Sequence, residues 1–453
     1  MRNKMKNIAK VWRSSTAFLL SAFSFLILIT SCSNELDEAL QPANNGTLQF
    51  VVSDFPMFGE GTQTRVIGTQ DAGKTAWANG DQILVHLYSQ KYKDQAVTLT
   101  FENNGWKSDG GTLSYLENEN PTITAVYAPD CGIKDSTIVL SEGKKYGTAE
   151  YIPAKTSIEG NVLKISFDSV RTYSRLRIAG LEKQTLTVTT TGFTPAGATS
   201  VTTDSIYTLT TDDKCNAYLY GIFAKDATVK VNHGNVVLKD YPFTADKHPT
   251  GTTAGTSYAL DARPIIDGTL DGDTVVTEGD ITALVEQIKT YVDNGITTII
   301  VTGSIPAIID MGSYTNTAIG EAIFRLSGSG THSENNQYNG KIDLILPDVT
   351  EIVAWEFQRA YALNSINLPK VTTIGAEGIQ YCLYLQKLTF GSVVTSIKDG
   401  VNYAFYDSGA SVGGCDLVLN REQVNAATEY QPDVQNKKWW KLEWKSITLR
   451  QEY

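Results

Sequence analysis

Apolar and polar residues alternate with period two from residue 47 to residue 261, in short runs broken by Gly, Asn, Asp and Pro. Leu48, Phe50 and Val52 fall on one face, as do Ile83, Val85 and Leu87, and Val97, Leu99 and Phe101 with Thr98 and Thr100 opposite. Ile165 with Phe167, Leu176 with Ile178, Leu186 with Val188 and Val229 with Val231 continue the pattern. Successive side chains of a strand point to opposite sides, so this alternation predicts strands with one buried and one wet face, packed as antiparallel sheets in layers. Helical spacing is nearly absent here. A break around residues 153–160 divides the stretch into two pieces of about 105 residues, each the size of one β-sandwich. The predicted units are 47–155 and 156–262.

Beyond them the period changes. Residues 263–280 are acidic and glycine-rich and read as a linker. Ile281, Leu284, Val285, Ile288 and Val292 then share a helical face, with Asp280 as the predicted N-cap and Gly295 just past the end. From there a third unit, 281–453, repeats itself. Leu344, Ile366 and Leu388 stand 22 apart, as do Leu346, Leu368 and Phe390, and Val349, Val371 and Val393. Leu363 and Leu385, and Ile352 and Ile374, keep the same step, while Ile397 slips to 23. A unit of this length cannot bury its own apolar face and must stack on copies of itself, which predicts a solenoid. Ile299 and Val301 lie 45 residues before Leu344 and Leu346, about two repeats, and supply a first strand. Solenoid ends need covers. The helix serves at one end, and the segment "KKWWKLEWKSITL", with Trp439, Trp440 and Trp444, serves at the other, with a sugar-stacking platform as the alternative role for these tryptophans.

The amino terminus follows different rules. Arg2, Lys4, Lys6, Lys10 and Arg13 precede an apolar stretch at 17–29, shorter than the roughly 20 residues of a bilayer span, so 1–31 reads as an export signal. The sequence "ITSC" ending at Cys32 resembles a bacterial lipobox, which implies cleavage before Cys32 and lipid on the new amino terminus. Residues 32–46 are an acidic tether, and Glu35, Asp37 and Glu38 are similar to signals that send lipoproteins to the outer face of the outer membrane. The expected location is therefore the cell surface, lipid-anchored in the outer membrane.

Charge and cysteine content narrow the function. Removing residues 1–31 takes away five cations and no acid, moving the formal charge from −11 to −16 and arguing against nucleic acid as a partner. Cys131, Cys215, Cys382 and Cys415 are too few for a disulfide scaffold and form no CxxC pair, so they are read as buried or unpaired thiols. His86, His233, His248 and His332 are scattered, no nucleophile or carboxylate pair stands out, and the reading is a binding protein without enzyme activity or cofactor. Asp271, Asp273 and Asp280 come nearest to a calcium loop. Thr269 and Thr274 occupy positions where a carboxylate and a glycine are required, so no metal site is assigned.

Two resemblances complete the reading. "TRVIGTQDAGKTAWANGDQILVHLY" followed by "AVTLTFENNGWKSDGGTLSYLENENPTITAVYAP" resembles the fimbrillin-like proteins of Bacteroides-type bacteria, over about half the chain. "LPKVTTIGAEGIQYCLYLQKL" is similar to the leucine-rich repeats of BspA-type surface proteins. They imply a mainly β chain: two tandem transthyretin-like β-sandwich domains, then a small leucine-rich repeat solenoid with an amino-terminal capping helix. The implied function is a surface adhesin or a fimbrial tip or minor subunit, with a host protein or glycan as ligand of the solenoid. The alternatives are a structural anchor of fimbriae or a polysaccharide-capturing lipoprotein. Fimbrillins assemble by strand addition after cleavage at an arginine, and Arg65 in "GTQTRVIG" is the arginine of this chain in the matching region.

Overall fold

The computed structural model describes residues 48–56, 58, 74–116, 119–168, 171–198, 202–244, 246–267, 278–303, 336–400 and 403–451. Cys32, Arg65, Asp271 and Asp273 lie outside the described residues. The fold is mainly β, with the helix Glu278–Asp293 between the second and third units.

In the first unit a five-stranded antiparallel sheet is built around Gln82–Ser89, which pairs with Lys93–Glu102 and Thr122–Tyr127. Ile83, Val85 and Leu87 point to the core as their alternation predicts, with Val97 and Leu99 beside them. The turn at Asn103 and Asn104 has positive φ at both residues, the geometry that suits the twist of a two-residue hairpin. The outer face of the sheet is not fully wet. Leu84 and Val126 are buried beneath the hairpin of Cys131–Lys134 and Thr137–Leu140.

The opposing sheet corrects the first boundary. Lys155–Glu159 and Val162–Ser166, assigned from sequence to the second unit, pair with each other and with Gln49–Val52. Leu163, Ile165 and Phe167 are buried in the same core as Ile83 and Leu99. The break at 153–160 is therefore a crossing between two sheets of one core, and the chain enters the second unit only at about Tyr173.

The second unit is one six-stranded sheet organised by the 18-residue strand Asn216–His233. Its first half pairs with Ser174–Ala179 and its second half with Val236–Pro242, while Thr185–Pro195 runs along it with an irregularity between Thr191 and Phe193. Phe193, Phe223 and Phe243 stack beside this irregularity, with ring centres 4.3 and 4.9 Å apart. Val236 reaches the core of the third unit.

In the third unit seven parallel strands lie side by side, from Ile265–Asp267 through Thr298–Thr302, Ile342–Ile345, Leu363–Leu368, Lys387–Phe390 and Asp416–Asn420 to Ser446–Arg450. The 22-residue columns become registers: Leu344 pairs with Ile366, and Ile366 with Leu388. Ile299 pairs directly with Leu344, so the 45-residue step spans a single longer connection. A second row of short parallel strands, Glu351–Ile352, Thr373–Ile374 and Ser396–Ile397, forms the far side.

Three details differ from the sequence reading. The presumed linker contributes the strand Ile265–Asp267, whose Ile266 is buried. The helix begins at Glu278, so Asp280 sits inside its first turn and is not the N-cap; negative charge in a first turn is favoured by the helix dipole. The buried valine of the third repeat is Val394, not Val393, because the one-residue slip seen at Ile397 has already occurred there. The segment "KKWWKLEWKSITL" stands at the end of the ladder, as expected, and its Ser446–Leu449 belong to the last strand. Trp439 and Trp444 fill the core against Phe405.

Candidate functional site

Residues of a strand that alternate with the core positions must face outward, so seven registered strands place their outward residues in rows. One row reads Thr298, Asp343, Ser365, Lys387, Asp416 and Ser446. The next reads Ile300, Ile345, Asn367, Thr389, Val418 and Thr448. Thr298, Asp343, Ser365 and Lys387 of the first row and Ile345, Asn367, Thr389 and Val418 of the second line a groove of about 520 Å³ that extends to Arg450 and takes in Pro369 and Asn420.

The polar groups of the face are organised by their neighbours. Asp343 accepts hydrogen bonds from Asn364 Nδ2 at 2.8 Å and Ser365 Oγ at 2.6 Å. Asp416 accepts from Ser446 Oγ at 2.6 Å and pairs with Lys445 at 3.5 Å. Lys387 stands exposed between these two carboxylates in the same row. At the rim, Asp348 accepts the N–H of Gly303 and pairs with Lys370 at 3.1 Å, and these contacts hold its pKa below the usual carboxylate value. The face thus offers fixed acceptors, a central cation and small hydroxyl and amide side chains over an aliphatic floor. That composition suits a polar extended ligand held by many hydrogen bonds.

A second feature is the edge strand Gln49–Val52. It pairs parallel with Val162–Ser166 on one side and is the outermost strand of its sheet. Leu48 is buried, and Phe50 and Val52 pack on the first core. Ser53 ties the strand end down: its N–H donates to Ile165 O at 2.9 Å, its Oγ accepts from Phe167 N at 2.9 Å, and its carbonyl accepts from Trp77 Nε1 at 2.9 Å. Trp77, prominent in the sequence, is a core aromatic among Phe55, Trp106, Tyr127 and Phe167.

Of the candidate site residues Cys32, Arg65, Asp271, Asp273 and Asp280, only Asp280 lies within the described part, and there only its place in the helix is described. Among the described residues no group of three His, Cys, Asp or Glu is arranged to hold a metal, and no helix is long and apolar enough to cross a membrane. The outward rows went unread in the sequence, although Asp343, Ser365 and Lys387 recur at the same 22-residue step as the apolar columns. Their signal was the spacing itself, applied to polar positions.

No family model and no curated protein matches the chain. Among solved structures similar to it are two provisionally assigned to cell adhesion. One, from Bacteroides fragilis, is 12% identical with a TM-score of 0.26, covering 51% of this chain and 96% of that one. The other, from Bacteroides ovatus, is 12% identical with a TM-score of 0.29, covering 49% and 94%. A fimbrial protein of Bacteroides ovatus is 11% identical with a TM-score of 0.24, covering 48% of this chain and 49% of its own. At these scores the likeness is partial and says nothing about what this chain binds.

Proposed function

We propose that the chain is a cell-surface lipoprotein that adheres to a host or bacterial surface ligand. Its first two units act as a stalk and its third unit, a leucine-rich repeat solenoid of the BspA type, acts as the head. Lipid on Cys32 and the tether 32–46 moor it in the outer membrane. One observation carries the assignment of the head: two rows of side chains run in register across six strands, and eight of their residues, from Thr298 to Val418, line one groove. Extended faces of this kind are what stacked repeats offer to partners, and recognition there needs no turnover.

The test uses the full chain from residue 33, screened against immobilised glycans and matrix proteins, beside a variant carrying Lys387→Glu and Asn367→Asp. Loss of at least tenfold in affinity with an unchanged melting curve supports the head. Full binding by the variant assigns the ligand to another surface.

A second reading concerns assembly and is favoured by the edge strand. Gln49–Val52 is the outermost strand of its sheet and precedes Arg65 in the chain. Cleavage at Arg65 would release the lipid and that strand together and free the edge of Val162–Ser166 for a strand from a sister subunit, which satisfies a row of backbone groups at once. The protein would then be a tip or minor subunit of a fimbria. Sequencing the amino terminus of protein recovered from cells decides between them: lipidated Cys32 marks the anchored adhesin, and Val66 the trimmed subunit.

A further inference from the structure

Residues 53–56 and 58 fill a cleft at the junction of the first and second units. Phe55 enters the first core, with Trp77 at 4.7 Å and Tyr127 at 5.5 Å, both edge-on. Three residues later Phe58 lies between two guanidinium groups, Arg171 at 4.9 Å and Arg175 at 5.0 Å from its ring centre. Arg171 also stands 4.9 Å from the ring of Phe55.

Both arginines are 2% exposed. Arg171 pairs with Glu150 at 2.6 Å and donates to the carbonyl of Pro56. Arg175 belongs to the strand Ser174–Ala179 of the second unit, where its Nε donates to Ser257 Oγ at 3.1 Å. A buried guanidinium has lost its hydration and regains attraction from carboxylates and from the faces of aromatic rings, a contact that strengthens where water is excluded. An aliphatic side chain at position 58 would fill the volume but take one aromatic face from each guanidinium, leaving Arg171 with Glu150 and Phe55 and Arg175 with Ser257 and the ring of Tyr218 at 5.5 Å. The cleft therefore discriminates by chemistry as well as by shape.

We propose that this cleft is an acceptor for an extended segment of another fimbrial subunit, and that Arg171 and Arg175 select segments carrying two aromatic residues three apart, just beyond the pairing strand. The proposal rests on the strand-addition reading and adds to it a rule of recognition. Backbone pairing along Val162–Ser166 supplies affinity for any strand, while the arginine pair supplies the choice among strands. Its own residues 48–58 display the pattern: Leu48, Phe50 and Val52 on the core, then Phe55 and Phe58 on the arginines.

The test takes the full chain from residue 33 with a specific protease site placed between residues 59 and 73. After cleavage a fluorescent peptide of residues 47–58 is added and its anisotropy followed. The native peptide is expected to exchange into the cleft, and a peptide with Phe55→Ala and Phe58→Ala to bind at least about tenfold more weakly. In an Arg175→Lys chain the gap between the two peptides should shrink to about threefold or less, since an ammonium stacks on Phe58 less well than a planar guanidinium. If no peptide binds the cleaved chain, the strand-addition reading falls together with the rule. If both peptides bind equally, or the gap persists in the Arg175→Lys chain, the rule alone is overturned; the peptide comparison decides even if that variant folds poorly.

Discussion

Glu356 turns its carboxylate back onto the N–H of Val353, 2.9 Å away, in a turn of the third unit where it is 1% exposed. Burial pushes its pKa up to about 7, opposed by the Val353 hydrogen bond and reinforced by the charge of Glu351. The folded state therefore favours the protonated form. Its contribution is fully present below the unfolded value of 4.5 and is lost as pH rises through about 7. Glu356→Gln should raise stability at pH 8 by up to about 3 kcal/mol and leave it nearly unchanged at pH 4. Urea midpoints of the two proteins at both pH values check this, and parallel pH profiles would refute it.

His248 titrates with the opposite sign. Its Nε2 lies 3.0 Å from Tyr241 Oη, and the rings of Phe243 and Tyr258 stand at 5.0 and 5.8 Å. Burial lowers its pKa, Lys247 lowers it further, and Asp246 opposes. The neutral imidazole is the folded form, so its contribution is present above 6.5 and disappears as pH falls through the depressed value. Proton NMR titration of the imidazole should give a midpoint below that of an exposed histidine, and His248→Gln should flatten the acid limb of the stability profile.

Trp439 is 1% exposed, donates from Nε1 to Tyr430 O at 2.9 Å, and meets Phe390 and Phe405 at 5.7 Å each. Trp439→Ala should cost about 3–5 kcal/mol, as deletion of a buried aromatic does. Trp440, half-buried and stacked on Tyr430, should cost well under half as much. Equal losses in denaturant melts would contradict the separation of core from surface tryptophan.

Stacking of successive turns leaves no room at Gly375. A methyl group there would lie 2.4 Å from Ala354 N and 2.6 Å from Val353 C, both backbone atoms of the preceding turn. Gly375→Ala should destabilise by about 1–3 kcal/mol or more, the range for overpacking, while Gly413→Ala meets no neighbour within 4 Å and loses only by its positive φ. A harmless Gly375→Ala would mean that the turns are not packed this closely.

Four free thiols are expected in the chain from residue 33. Cys131 and Cys215 are half-buried, and burial raises both pKa values, with help from Asp130 in one case and from Glu182 and Asp212 in the other. They should react slowly with a thiol reagent. Cys382, which donates to Phe357 O at 3.0 Å, and Cys415 are buried and should react only on unfolding. Fewer than four thiols in denaturant would reveal a bridge.

Spacing in the sequence determined which side chains face the core. Period-two alternation placed Ile83, Val85 and Leu87 inward, and the 22-residue step placed Leu344, Ile366 and Leu388 in one register, because apolar burial is dictated by local geometry. The same step, read on its polar positions, contains Asp343, Ser365 and Lys387 of the candidate face. Which strands become neighbours was not decided there. Gln49–Val52 lies beside Val162–Ser166 across more than a hundred residues, Ile265–Asp267 joins the third sheet from a stretch without apolar periodicity, and the ladder runs on by steps of 29 and 30 residues to Leu417 and Ile447. Backbone hydrogen bonds are the same for every residue type, so such pairings leave little trace in composition. Only the packed chain brings Phe58 between Arg171 and Arg175, since each contributes to a contact that none of the three encodes alone.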